Sequence, residues 1–291
     1  TPSPNDFMEL GNQAEFLGIM SQTEMLAMFF IHDGGDTAKW RLKGHGKAKF
    51  FQWLATWSVV IRSPADLGYD ASSHELPELV YHSHVIETAP EGALFVEPAQ
   101  GLQERNKARK ESARARCEKA ASIANELPGP VLVWCNLNDE SAMLSEMIDD
   151  AVEVKGADSS DHKSWALTAF AHDEIKALVS KPKIAGFGMN WQNCNHVVFV
   201  GLSDSWESYY QAIRRCWRFG QTKPVHVHVI SADTEGAVVE NIRRKDQQNA
   251  VLGREMVKHM LTMMEKEIFS AAIEKTEYNA TQQMEIPQWL Q

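Results

Sequence analysis

Between residues 131 and 230 the chain alternates short apolar runs with longer amphipathic stretches, and this alternation limits the fold more than any other feature. VLVWC (131–135) is a continuous apolar run, as expected of a strand buried on both faces. VEVK (152–155), KIAGF (183–187), HVVFVGL (196–202) and VHVHVI (225–230) are further strand-like runs. Helical patterns stand between and after them: from Asn138, a suitable N-cap, to about Ile148, over 162–179, over Trp206–Arg218, and over 236–270. An Arg/Lys/Ala-rich helix is expected over 103–126, closed by Pro128-Gly129-Pro130. Strands alternating with helices predict right-handed crossovers and a parallel sheet covered on both sides, an α/β domain.

The region ahead of this pattern reads differently. APEGALFVEPAQG (89–101) is rich in Pro, Gly and Ala and marks a break. Before it the chain reads as mainly helical. Residues 13–30 carry Phe16, Leu17, Met20, Met25, Leu26, Met28 and Phe29 at helical spacing, and HDGGD (32–36) is a loop signal. A second amphipathic stretch runs from Lys47 to about Ile61 and ends at Pro64. The expected organisation is a mainly helical part over 1–90, a linker over 91–101 and an α/β domain over 102–291.

No apolar run reaches the roughly 18 residues that a membrane helix needs, and TPSPNDFMEL lacks the basic start and apolar stretch of a signal peptide. An intracellular, cytoplasmic protein without a membrane partner is the expectation. Four cysteines, Cys117, Cys135, Cys194 and Cys216, are irregularly spaced, which excludes a C-x-x-C zinc motif and predicts reduced, buried thiols. His82 and His84, like His226 and His228, alternate along strands and share a face, but no third ligand accompanies them, so no metal site is expected. The net charge of -10 excludes a surface that is basic all over but not a local basic stripe. Two places qualify: Arg105, Lys107, Arg109, Lys110, Arg114, Arg116 and Lys119, and Arg243, Arg244 and Lys245. Each reads either as a solvated helix face or as a nucleic-acid contact.

The chemistry is concentrated in QAIRRCWRFGQTKPVHVHVI, which begins at Gln211. Arg215 and Arg218 stand three apart on one short helix and so share a face. Arginines held at the edge of a parallel sheet suit the neutralisation of a polyphosphate or a phosphate backbone; salt bridges with acids such as Glu207 are the alternative. Upstream, Gly186 and Gly188 allow a close backbone approach and offer N–H groups to a partner.

Here the sequence resembles a family. Gln211, Arg215, Arg218, Gly220 and Gln221 meet without gaps the pattern Gln-x-x-x-Arg-x-x-Arg-x-Gly-Gln, the sixth helicase motif of Swi/Snf-related superfamily-two ATPases. KIAGFGMNWQNCNHVVFVGL is similar to the fifth motif, with Gly186, Gly188 and Asn190 fitting its Gly-x-Gly-x-Asn-Leu turn. It departs at Lys181-Pro182, where the family has Ser-Thr, and at Trp191, where it has Leu; the variant looks closer to bacterial and phage members than to chromatin remodellers. GPVLVWCNLNDE resembles the fourth motif, and VEVKG the strand before the family's Gly-rich connection. IRSPADLGYDASSHELPEL resembles the linker between lobes, fitting at Arg62, Asp66, Leu76 and Pro77 but with Ser63 for the second Arg. TPSPND resembles the tail of the third motif.

The resemblance implies a second RecA-like lobe, a parallel sheet flanked by helices, that completes an ATP site held mainly by a first lobe. Arg218 would be the arginine finger and Arg215 its partner on the phosphates, with Gln211, Gly188 and Gln221 also at the ATP and with Mg2+ bound by the first lobe. Lys181, Lys183, Gly186 and Asn190 would touch the backbone of double-stranded DNA without reading sequence. No G-x-x-x-x-G-K-[ST] occurs, so hydrolysis by this sequence alone is not expected and the chain reads as a piece whose N-terminal ATPase lobe lies upstream. Movement on duplex DNA coupled to ATP hydrolysis is the leading reading. A non-catalytic RecA-like module that binds DNA or protein is the alternative.

Overall fold

The computed structural model describes residues 6–33, 36–61, 63–87, 110–186, 188–203 and 205–270. Helix α1 (Leu10–Phe16) packs on α2 (Gln22–Phe29). The second helix starts at a reciprocal cap, where the Ser21 hydroxyl accepts from the Glu24 N–H (3.3 Å) and the Glu24 carboxylate accepts from the Ser21 N–H (3.0 Å). It leads directly into an antiparallel hairpin, β1 (Phe30–Asp33) with β2 (Asp36–Leu42). HDGGD is the hairpin connection, and its residues 34 and 35 lie outside the described ones. Helix α3 (Lys47–Ala55) buries Phe50, Phe51 and Leu54 against Met25, Phe29 and Phe30. The same core takes in Leu252 and Met256 from the far end of the sequence.

Among the described residues six strands make an all-parallel sheet: β3 (Leu79–Ile86), β4 (Val131–Trp134), β5 (Ala151–Val154), β6 (Ala177–Ser180), β7 (His196–Val200) and β8 (Val225–Ala232). Their order across the sheet is β3-β8-β7-β4-β6-β5. The connecting helices are α4 (Ala113–Glu126), α5 (Asn138–Met147), α6 (Ser160–Ala171), α7 (Pro182–Ala185), α8 (Trp206–Ile213) and α9 (Gly236–Ser270). Alternate residues of β4 show why both faces are covered. Val131 and Val133 join a core with Cys117, Ala120 and Ala124 of α4 and Leu144 of α5. Leu132 and Trp134 join the opposite core, with Phe170 of α6, Trp206 and Ile213 of α8, and Val238 of α9. This is the expected RecA-like sheet flanked by helices.

Three local expectations are corrected. KIAGF is not a strand: Pro182 stands at the first turn of α7, where its missing N–H costs nothing, and the strand is the preceding Ala177–Ser180. That strand is only four residues long and continues the apolar pattern of α6, so the helical reading of 162–179 overran it. The N-terminal part also holds more strand than expected, in the hairpin and in β3, which pairs with β8 from Leu79↔Val225 to Ile86↔Ala232. The expected linker at 91–101 lies outside the described residues, as do residues 103–109 of the expected helix over 103–126. All four cysteines are free and buried, and among the described residues no helix is long and apolar enough to cross a membrane.

One charge is sealed inside the fold. Arg116, fully buried, pairs with Glu140 (2.8 Å) and Glu235 (3.5 Å), which are also buried. Each carboxylate also accepts backbone N–H groups: Glu140 those of Asn136 and Leu137 (both 2.9 Å), and Glu235 that of Ala232 (2.9 Å). A Cβ at Gly201, whose φ is +73°, would stand 2.3 Å from the guanidinium, so the position admits only glycine. The cluster therefore ties the starts of α5 and α9 and the end of β7 to α4. Arg116→Met, which strands two buried carboxylates, is expected to cost about 3–5 kcal/mol in urea unfolding. A loss below about 1 kcal/mol would show that the cluster is not holding these elements.

Candidate functional site

Two segments meet at the edge of the sheet where the parallel strands begin. After β6 the chain makes the single turn of α7 and then runs back along the sheet to the start of β7. Helix α8, capped by the Ser205 hydroxyl on the Ser208 N–H (3.2 Å), returns from the end of β7 towards the start of β8. Met189–Cys194 and Arg215–Gln221 thus arrive side by side. Lys181 lies at the opposite edge, roughly 16 Å away for a five-residue strand rising about 3.3 Å per residue.

The two segments are laced by hydrogen bonds. Arg215 Nη1 donates to the Met189 carbonyl (3.0 Å), and the Trp191 N–H donates to the Arg215 carbonyl (2.9 Å). Arg218 Nη1 contacts Asn190 Oδ1. Gln192 Nε2 donates to the Phe219 carbonyl (3.2 Å), and Gln221 Nε2 donates back to the carbonyls of Gln192 and Cys194 (both 3.0 Å). Gly188 and Gly220 turn the chain at φ +82° and +93°, where a side chain would be strained. Trp191, which departs from the family's Leu, is fully buried, stands edge-on to Phe170 (5.5 Å, 82°) and donates from Nε1 to the Leu167 carbonyl (3.2 Å). It anchors its turn in the core.

The arginines differ in what they do. Arg214 packs over the rings of Tyr210 (6.0 Å) and Trp217 (5.3 Å), a cation–π role on the helix surface. Arg215 is 9% exposed and braced by Gln211, whose carbonyl accepts from Nε (3.0 Å) and whose Oε1 accepts from Nη2 (3.2 Å). Burial, followed by the nearby Arg218 charge, lowers its pKa from the usual arginine value. Among the described residues no carboxylate forms an ion pair with Arg215 or Arg218, and Glu207 in the first turn of α8 is not their partner. Two neighbouring guanidiniums with no acid partner among the described residues have the chemistry to receive an anion.

The remaining sequence-predicted residues divide between the two edges. Lys181 Nζ donates to Asn138 Oδ1 at the start of α5, and Lys183 is exposed on α7. Gly186 is buried, and a Cβ there would meet the Pro182 carbonyl at 2.2 Å, so it serves the turn rather than the surface. Asn190 is exposed but joins Arg218 rather than the lysines. Gln192 carries a bond of the lacing that sequence reasoning missed; a polar residue in a turn gives no signal of its own. From the linker-like segment, the Pro77 carbonyl accepts from Trp217 Nε1 (2.7 Å), and the His74 ring lies 5.4 Å from that of Phe219. Asp66 caps its own turn by accepting the Ser63 N–H (3.2 Å), and Arg62 lies outside the described residues.

The two basic places are partly engaged in local contacts among the described residues. Arg114 pairs with Glu118, Arg116 is buried, and Arg105, Lys107 and Arg109 lie outside the described residues. Arg243 pairs with Glu240, and Arg244 donates to Asn241.

Residues 115–220 match the family model of the helicase conserved C-terminal domain. The bifunctional helicase and thymine dioxygenase JBP2 of Leishmania braziliensis is 38% identical over 90 residues, 30% of this chain and 8% of that protein. The DNA repair protein rad8 of Schizosaccharomyces pombe is 31% identical over 113 residues, 38% of this chain and 10% of that protein. The matches therefore span a tenth or less of these relatives' length. Among solved structures, the C-terminal part of the Fun30 ATPase domain aligns with a TM-score of 0.38 at 19% identity, covering 49% of this chain and 48% of that one. A DEAD box protein from Methanococcus jannaschii aligns with a TM-score of 0.41 at 19% identity, covering 58% and 39%. Residues 115–220 are thus similar to the helicase conserved C-terminal domain.

Five histidines stack across the sheet. Across β7, β8 and β3 the rings run His196–His226 (5.1 Å), His226–His82 (5.3 Å), His82–His228 (4.5 Å) and His228–His84 (5.5 Å). No group of three or more His, Cys, Asp or Glu among the described residues is placed to hold a metal ion. Burial, then the neighbouring imidazoles, push His196 and His228 from 6.5 down to about 4. Their folded pKa lies below the unfolded value, so the unfolded chain binds more protons in between. Stability is then full above about pH 6.5 and falls as the pH drops from 6.5 towards 4. The urea midpoint is expected to be lower at pH 5 than at pH 7.5, with a smaller difference in His196→Gln/His228→Gln. Equal midpoints in the wild type would contradict the stack's neutral state.

Proposed function

We propose that this chain supplies the second half of an ATP-driven motor on double-stranded DNA. The ATP and its Mg2+ are held mainly by an ATPase lobe upstream of this sequence, and the edge bearing Arg215 and Arg218 closes over the phosphates. Arg218 is the arginine finger, and Arg215, already braced by Gln211 and Met189, holds the second positive charge beside it. Such a finger meets charge that develops on the transferred phosphoryl group, an effect worth about 10³–10⁵ in rate. The observation that carries this reading is the pair of guanidiniums without a carboxylate, fixed by the lacing between the two turns. At the opposite edge, Lys181 and Lys183 meet the phosphate backbone, which gives affinity without sequence selection. The division into a mainly helical part, a linker at 91–101 and an α/β lobe belongs to the same proposal. So does a place among bacterial or phage members acting in the cytoplasm, which the departures at Lys181-Pro182 and Trp191 support.

The test is ATPase activity, with and without duplex DNA, of the chain joined to its upstream coding sequence. DNA-stimulated hydrolysis is expected, and Arg218→Ala should lower kcat by about 10³-fold or more while ATP binding persists. Undiminished turnover in Arg218→Ala would remove the finger. An inactive wild type that still binds DNA would mark a non-catalytic binding module. Lys181→Gln with Lys183→Gln should weaken DNA binding and flatten its log–log salt dependence by about one unit per lost phosphate contact. An unchanged slope would place the lysines off the DNA path.

A further inference from the structure

Gln221 was expected to touch ATP, but its side chain is already fully engaged. It is 7% exposed. Its Nε2 donates to the carbonyls of Gln192 (3.0 Å), Cys194 (3.0 Å) and Cys216 (3.4 Å), three acceptors for two hydrogens. Its Oε1 accepts the backbone N–H groups of Thr222 and Lys223 (both 3.0 Å). One amide thus joins three pieces: the turn that enters β7, the end of the arginine turn and the lead into β8. Only a primary amide at this reach offers donors on one side and an acceptor on the other. A carboxylate would face three carbonyls with none of those donors, and an aliphatic side chain would leave five backbone groups without this partner.

The position matters because of where the joined turn comes from. The stretch from Lys181 to Asn195 crosses the sheet from one edge to the other. Its far end is held to Arg215, Arg218 and Phe219 by the lacing, and Gln221 contributes the bonds nearest to β7. We propose that Gln221 is a positioning residue, a clamp that makes the Met189–Cys194 turn and the Arg215–Arg218 turn one rigid unit. A shift imposed at the lysine edge is then carried to Arg218 rather than absorbed between the turns. This rests on the function proposed above, and it moves Gln221 from contact with the nucleotide to control over the group that makes contact.

Two measurements on Gln221→Leu test the clamp. Hydrogen exchange on this chain should show faster exchange at Trp191, Cys194, Thr222 and Lys223, with β4 and the rest of β7 protected as before. In the chain joined to its upstream coding sequence, kcat with duplex DNA should fall by about tenfold to a hundredfold, the scale of a displaced catalytic group. The KM for ATP and the Kd for DNA should stay within about threefold, because neither ligand loses a contact. A KM raised tenfold with kcat retained would put Gln221 on the nucleotide and overturn the clamp, as would unchanged kcat. Should the wild type show no ATPase, the proposed function fails and the exchange data decide the clamp alone: unchanged protection at those four amides would overturn it.

Discussion

A guanidinium taken out of water has to be neutralised, and Arg116 shows how this fold does it. Two buried carboxylates pair with it, each also spent on backbone N–H groups, and Gly201 leaves room for its head. Charge, cap and backbone conformation are satisfied together, and three chain reversals at one edge of the sheet depend on the result. Against that internal standard Arg215 and Arg218 stand out. Arg215 is nearly as hidden, yet carbonyls and an amide oxygen hold it instead of acids, and Arg218 beside it adds charge of the same sign. The same chain therefore contains an arginine built for structure and a pair left with charge to offer.

The sheet separates two tasks. Lys181 and Asn138 stand where strands end, and Arg218 and Asn190 stand where strands begin. A single stretch, from α7 to the start of β7, connects them along the length of a strand. Its departures from the family pattern fit that arrangement: Trp191 fills the core beneath the turn, and Pro182 starts α7. The hydrogen bonds between the turns join the two segments at the edge where strands begin.

Much of this was legible in the sequence, and the failures have physical causes. VLVWC, VEVK and VHVHVI announced themselves because strands covered on both faces must be apolar throughout or nearly so. Ala177–Ser180 did not, being four residues that extend a helical pattern without a break, and KIAGF mimicked a strand although Pro182 suits a helix start. The arginine motif pointed to the candidate site because its spacing is long and gapless. What it could not show was the division of labour: Arg214 goes to aromatic rings, Gln211 braces Arg215, and Gln221 is buried. Arg116 left a trace that charge counting hides, since it falls on the helical stripe of Ala113, Cys117, Ala120 and Ala124, the buried face of α4.

The central claim is that Arg218 reaches the reacting phosphate of an ATP held by another lobe. Its most direct test is a structure of the chain with its upstream lobe, bound to ADP and a planar fluoride mimic of the transferred phosphoryl group. The Arg218 guanidinium is expected within about 3 Å of the mimic, with Arg215 still held by Gln211 and Met189. Arg218 paired with a carboxylate of the upstream lobe, or turned away from the mimic, would contradict it.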